Sequence, residues 1–173
     1  MLNTHTILET SRLLLRHLTL DDAAFIHALQ RDPDWIRNIG DRGVRDEETA
    51  RDYLQKGPLT HYRQPPLGLK CVVQRHDSVP VGLCGLLQRP NLDSPDIGFA
   101  FLPEYRGKGY AFEAAQAVID EAVARFGTAE ILGLAAPHNG ASIKVLQRLG
   151  MSHCDDCQCD EFDGPTVVYR RRW

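Results

Sequence analysis

Six consecutive residues, Glu104-Tyr105-Arg106-Gly107-Lys108-Gly109, interleave two cations with two glycines between an apolar run and a helical pattern. That layout can cradle an anion. The first amides of a helix have no internal acceptor, and the macrodipole adds partial positive charge there. Glycines let the backbone approach a phosphate with no Cβ in the way. Arg106 and Lys108 would add full charges at the mouth. The same spacing also makes an ordinary tight βα loop. It fits neither the GxGxxG fingerprint nor GxxxxGK[ST], which disfavours dinucleotide and P-loop nucleoside triphosphate sites.

Flanking elements must hold this turn. Before it, Ile97 to Leu102 has the length and aromatic content of a strand, ended by Pro103, which has no N–H for a ladder. After it, Ala111, Ala115, Val118, Ile119, Ala122 and Phe126 mark one face of a helix, with Glu113, Gln116, Asp120 and Glu121 opposite and Gly127 as the stop. Ala129 to Ala135 reads as the next strand, completing a right-handed βαβ unit. Upstream, Leu13-Leu14-Leu15 predicts a strand, Leu20 to Gln30 a helix capped by Thr19, and Asp46 to Gln55 a second helix with an acidic first turn. Trp35 reads as the anchor of an irregular stretch or as a wall of a substrate site. Gly57 to Gly68 reads as a loop. Leu69–Gln74 and Val79–Leu87 read as strands about a polar turn. Downstream, Asn139 caps a short helix reaching Gly150 and burying Ala141, Val145, Leu146 and Leu149. A last strand, Thr166 to Arg172, follows a turn at Asp163-Gly164-Pro165.

A length of 173 residues predicts one domain over 1–173, and 43% hydrophobic with 25% charged residues is ordinary for a globular chain. Net charge of −3 argues against a protein built to hold nucleic acid. No apolar run reaches the roughly 18 residues of a membrane helix, and no signal layout opens the chain. A cytoplasmic protein is expected, which requires the five cysteines to stay reduced. His153, Cys154, Cys157 and Cys159 form a ligand-rich string, but structural zinc uses two separated ligand pairs, so reduced surface thiols and no metal are expected.

Arg106-Gly107-Lys108-Gly109-Tyr110-Ala111 resembles the Arg/Gln-x-x-Gly-x-Gly/Ala loop of the GCN5-related N-acetyltransferases (GNAT). Asn139, Ser142 and Leu149-Gly150 resemble that family's Asn-x-x-Ser/Ala…Leu-Gly-Phe segment, with Met151 in place of Phe. The opening Thr10-Ser11-Arg12-Leu13-Leu14-Leu15-Arg16 is similar to the start of its ribosomal-protein acetyltransferase (RimJ/RimL-like) branch. Leu146 stands where many members carry a Tyr that protonates the departing thiolate.

The resemblance implies a GNAT fold, an α/β domain with one mixed, mostly antiparallel sheet, helices on both faces and a central β-loop-α acetyl-CoA site. It implies that Arg106, Gly107, Lys108, Gly109, Tyr110 and Ala111 bind the pyrophosphate of acetyl-CoA. Phe99, Ala100 and Phe101 would offer backbone to the pantetheine arm. Asn139 would contact coenzyme A, in competition with helix capping. The activity implied is acetyl transfer to a primary amine, a protein N-terminus or a small molecule, by direct attack. A free amine with a pKa of roughly 8 to 10 must first lose a proton. Asp96 is the candidate base, or else a solvated strand-end carboxylate, and Ser142 the candidate acid, or else a local cap partner. A non-catalytic coenzyme A or phosphate-binding module is the alternative. A monomer or homodimer is expected.

Overall fold

The computed structural model describes residues 6–157, 159 and 164–173. The chain opens with a hairpin, β1 (Thr6–Glu9) and β2 (Leu13–His17), followed by a 3-10 turn at Leu20–Asp22 and four helices, α1 (Ala23–Gln30), α2 (Pro33–Asn38), α3 (Glu47–Lys56) and α4 (Pro58–His61). Three strands follow, β3 (Gly68–Gln74), β4 (Pro80–Leu87) and β5 (Asp96–Phe101). Then come α5 (Tyr110–Phe126), β6 (Glu130–Ala135), α6 (Gly140–Arg148), β7 (Ser152–His153) and β8 (Val167–Arg172). The described strands form one sheet in the order β1-β2-β3-β4-β5-β6-β8-β7. Every neighbour is antiparallel except β5 and β6.

Local chemistry sets the element ends. Gly109 and Gly127 flank α5 with φ of 81° and 65°, values that favour glycine. Pro33 opens α2, where its missing N–H has no partner to lose. Asp46 caps α3 by accepting from the Thr49 amide at 2.8 Å. Arg16 grips Asp22 with two bonds of 2.8 and 2.7 Å, and Asp22 accepts from the Thr19 amide at 2.8 Å. The β2 strand is thereby tied to the turn that starts α1.

The pleat divides the core. Leu13, Leu15, Val72, Cys84 and Leu86 face α5 and α6, while Cys71, Val73 and Leu83 face α1, α2 and α3. Helices thus cover both faces, each of which carries buried apolar side chains.

Several expectations are corrected. Phe126 is 41% exposed at the last position of α5, with the Arg125 guanidinium 5.5 Å from its ring. Glu121 is buried at the edge of the apolar stripe, paired with Arg125 at 2.8 Å, and its charge bears on the buried Lys70, whose pKa is lowered by desolvation. Ala141 is exposed in the first turn of α6. The strand β1 had no sequence reading, the short helix α4 lies within Gly57–Gly68, which reads as a loop in the sequence, and α2 occupies the stretch around Trp35 that reads as irregular. Asp163 lies outside the described residues.

Gly85 lies opposite Leu69 in the β3–β4 pair, and a Cβ there would meet the Gly68 carbonyl oxygen at 2.2 Å. Backbone in a central strand cannot step aside as a side-chain tip can. Gly85→Ala should therefore destabilise the fold by about 1–3 kcal/mol, the usual cost of overpacking. Urea unfolding measures it, and an unchanged midpoint would show that the strands have room to part.

Candidate active site

The site begins where the sheet stops pairing. β5 and β6 share two register pairs, Asp96↔Leu132 and Ile97↔Gly133, yet β5 continues to Phe101 and β6 to Ala135. β4 pairs β5 along its whole length, and β8 pairs β6 along its whole length. The opening is therefore a wedge between two otherwise intact sheet halves. Beyond Ile97, the β5 edge carrying Gly98, Phe99 and Ala100 has no strand partner on the β6 side. The Phe101 carbonyl is already taken, accepting from Arg106 Nε at 2.9 Å.

Two helix N-termini converge on this wedge. On the β5 side, Gly107 and Gly109 take φ of 71° and 81° and lead into α5, whose first amides have no helical acceptor. Nothing lies within 4 Å of where a Gly107 Cβ would be, so an anion can approach this backbone. On the β6 side, Asn139 caps α6, its Oδ1 accepting from the Ser142 amide at 3.2 Å. Capping, one of the two roles open to Asn139, is the one observed. Ser142 is half-buried, and its hydroxyl makes no hydrogen bond among the described residues. Leu146 is buried against Gly133, where a Cβ would meet its Cδ2 at 2.4 Å.

The charges are arranged differently from the sequence reading. Arg106 does not stand free at the mouth. It bridges to Asp32, to Asp34 at 2.8 Å and to the Phe101 carbonyl. Lys108 lies over the Tyr105 ring at 5.2 Å, with no carboxylate partner among the described residues. Tyr110 is buried. Its hydroxyl accepts from Gln74 Nε2 at 2.7 Å, so its ring is turned into the core. Asp96 is not a solvated strand end. It is 2% exposed and held by Arg89 at 2.8 and 3.2 Å. It lies at the closed end of the wedge, on the sheet face opposite Ile97. Trp35 is an anchor, buried in the core beneath α1 and α3.

Sequence reasoning missed a brace behind the cradle. Glu113, in the first turn of α5, accepts from Thr10 Oγ1 at 2.5 Å, Ser11 Oγ at 3.1 Å and the Arg12 amide at 3.0 Å. The Arg12 guanidinium adds bonds of 2.7 and 2.6 Å. Desolvation pushes the Glu113 carboxyl up, but the donors from Thr10 and Arg12 outweigh it, and the net shift is below the usual carboxylate range. The sequence signal was the Thr-x-Arg of the opening strand, which the resemblance marked without a role. A hollow of about 570 Å³ on the outer flank of α5 lies between Arg12, Lys108, Phe112 and Arg148.

The cysteines divide into two groups. Burial pushes the Cys71 and Cys84 thiols up to about 12, which makes them inert. Cys154 and Cys157 are not reduced surface thiols. Cys154 is buried against Leu92, Leu132 and Val168, and a disulfide joins it to Cys157 with Cα atoms 5.4 Å apart. Cys154, Asp156 and Cys157 bring ligand atoms within 4.8 Å of one another, but a disulfide leaves no thiolate for a metal.

Residues 12–152 match the family described as Acetyltransferase (GNAT) domain. The chain is similar to a Bacillus subtilis (strain 168) protein named "Uncharacterized N-acetyltransferase YnaD". The two are 27% identical over 144 residues, 83% of this chain and 81% of that one. Its fold is similar to that of an acetyltransferase from Agrobacterium tumefaciens str. C58, with a TM-score of 0.82 at 23% identity over 96% of this chain and 94% of that one. It is also similar in fold to RimL, the ribosomal L7/L12 alpha-N-protein acetyltransferase solved with coenzyme A. There the TM-score is 0.79 at 19% identity, covering 97% and 98% of the chains.

Thiol counting tests the cysteine assignment. The folded chain without reductant should show one readily reactive thiol, Cys159, and three after mild reduction, with Cys71 and Cys84 reacting only on unfolding. Three reactive thiols before reduction would refute the disulfide.

Proposed function

The chain belongs to the GNAT acetyltransferase family, and from that premise we propose that it transfers acetyl from acetyl-CoA to a primary amine by direct attack in a ternary complex. The observation that carries the proposal is the wedge, with a glycine turn and α5 at one lip and Asn139 with α6 at the other. A thioester cosubstrate with a diphosphate and an amide-rich arm presents the groups this backbone lacks. The amides of Gly107 to Ala111 suit the diphosphate. The β5 edge at Phe99 and Ala100 suits the amide-rich arm, as an added strand would. Phe101 and Arg106 contribute less than the resemblance implies. The carbonyl of one is occupied, and the guanidinium of the other is spent on Asp32 and Asp34.

Acetyl-CoA would supply the activated acyl group. This chain must orient the amine and remove its proton. Asp96 serves as base in this proposal, with Arg89 fixing both carboxylate oxygens and a water or a shift of Arg89 linking it to the amine. Ser142 offers the unengaged hydroxyl at the start of α6 for protonating the departing sulfur. The acceptor is a protein N-terminus or a small-molecule amine. One observation favours a second reading, a coenzyme A binding module without turnover. The candidate base is shut from solvent and ion-paired.

Backbone recognition predicts an order of effects. Acetyl-CoA should raise the melting temperature of the wild-type chain, since it binds only the native state. Gly109→Val should abolish that shift, because φ of 81° is strained for any side chain and hostile to a branched one. Arg106→Ala should weaken binding far less. The reverse order would assign affinity to side-chain charge.

Turnover separates enzyme from binding module. Asp96→Asn should lower kcat most at the acid end of the pH profile, where the amine is most protonated, and leave acetyl-CoA affinity intact. An unchanged profile would remove Asp96 from the mechanism, and no free thiol with any amine would leave the binding module standing.

A further inference from the structure

We propose that Arg12 is a positioning residue for the phosphate end of the cosubstrate, acting by cancelling the charge of Glu113 and by turning the Gly109 amide toward the ligand. The proposal rests on the acetyl-CoA reading above and deepens it.

Glu113 poses an electrostatic problem. It lies one turn into α5, four residues past Gly109, and the Glu113 amide gives its hydrogen to the Gly109 carbonyl at 3.1 Å. A carboxylate in a first helical turn is favoured by the macrodipole. The same positive end is what an anionic ligand would use, so a bare carboxylate there competes with a diphosphate for one field. The hairpin turn between β1 and β2 removes the competition. Thr10, Ser11 and the Arg12 amide satisfy Oε1, and Arg12 holds Oε2 with Nε and Nη2. The planar fork suits a two-point grip on a carboxylate.

The remaining nitrogen acts on the loop. Arg12 Nη1 donates to the Lys108 carbonyl at 2.9 Å. In a trans peptide the C=O and the following N–H point in opposite directions. Fixing the Lys108 carbonyl toward Arg12 therefore aims the Gly109 N–H the other way, away from Arg12. Gly109 accepts this orientation because its φ is 81°. The guanidinium also lies 4.7 Å over the Tyr110 ring, whose far end Gln74 holds. The first helical residue is thus fixed at both ends. Arg106 is engaged by Asp32, Asp34 and the Phe101 carbonyl, and Arg12 is the described arginine that bonds the Lys108 carbonyl.

The test uses the whole chain. Coenzyme A titrated by calorimetry gives Kd, and acetyl-CoA kinetics with a responsive amine give KM and kcat. Arg12→Ala should raise Kd and KM about tenfold, a change equal to about 1.4 kcal/mol, and leave kcat within about twofold. Arg12→Lys should not rescue it, since an ammonium cannot grip Glu113 and the Lys108 carbonyl with one planar fork. Glu113→Gln should lose less than Arg12→Ala, because it removes the competing charge along with the grip. The double variant Arg12→Ala with Glu113→Gln should bind more tightly than Arg12→Ala alone, and raised salt should narrow the gap between them. Melting temperatures identify any variant that fails to fold, and Glu113→Gln with the double variant then carry the comparison. If the wild type binds coenzyme A and Arg12→Ala binds it equally well, this proposal falls while the cofactor reading stands. A double variant no better than Arg12→Ala overturns the charge account. A wild type that binds no coenzyme A overturns the cofactor reading and this proposal with it.

Discussion

Everything at the site depends on a parallel strand pair that stops after two residues. Backbone amides and carbonyls removed from water need partners, and an open strand edge inside a sheet is a standing demand for them. β5 stays paired to β4 and β6 to β8 along their full lengths, so the gap opens between two intact halves of the sheet. Packing keeps the lips apart as well. α5 lies under β4 and β5, while α6 is drawn against β6 by Leu146 seated on Gly133. With no Cβ at Gly133, Leu146 packs directly on the β6 backbone.

From this constraint the division of labour follows. In the proposed reading, recognition falls to backbone, and side chains set the direction of that backbone. Arg12 fixes a carbonyl, Gln74 fixes the far end of Tyr110, and Asn139 fixes the first turn of α6. Such an arrangement asks glycine of the turn and only shape and charge of its supports. That fits a chain whose fold is similar to that of a solved structure with 23% sequence identity.

The sequence made the local part of this legible. A period of 3.6 located α5 and glycine marked both of its ends, because propensity and capping are properties of neighbours. The strands around Lys70 and Leu83 were legible for the same reason. Pairings across the chain were not. Thr10 and Arg12 meet Glu113 about a hundred residues away, and Arg106 finds Asp32 and Asp34 over seventy away. Asp96 looked like a free carboxylate because nothing in its neighbourhood of the sequence announces that Arg89 turns back onto it. Charge types are written in the sequence, but the fold decides which charges remain unspent.

The spent charges have their own use. Asp32 stands at the N-terminal boundary of α2 and Asp34 lies in its first turn, and both hold Arg106 at the β5 lip of the wedge. At the other end of α2, Asn38 Oδ1 lies 2.9 Å from His138 Nε2, in the turn that follows β6. A helix of six residues is too short to persist alone. Its ends are instead fastened to the two strands that diverge, and Trp35 between them is sunk into the core below. α2 therefore spans the mouth of the wedge on the face opposite α5. The turn that aims amides at one side of the opening is joined through Arg106 to the helix that bounds the other. The cation that looked like a phosphate ligand in the sequence is the tie between the two faces of the cleft.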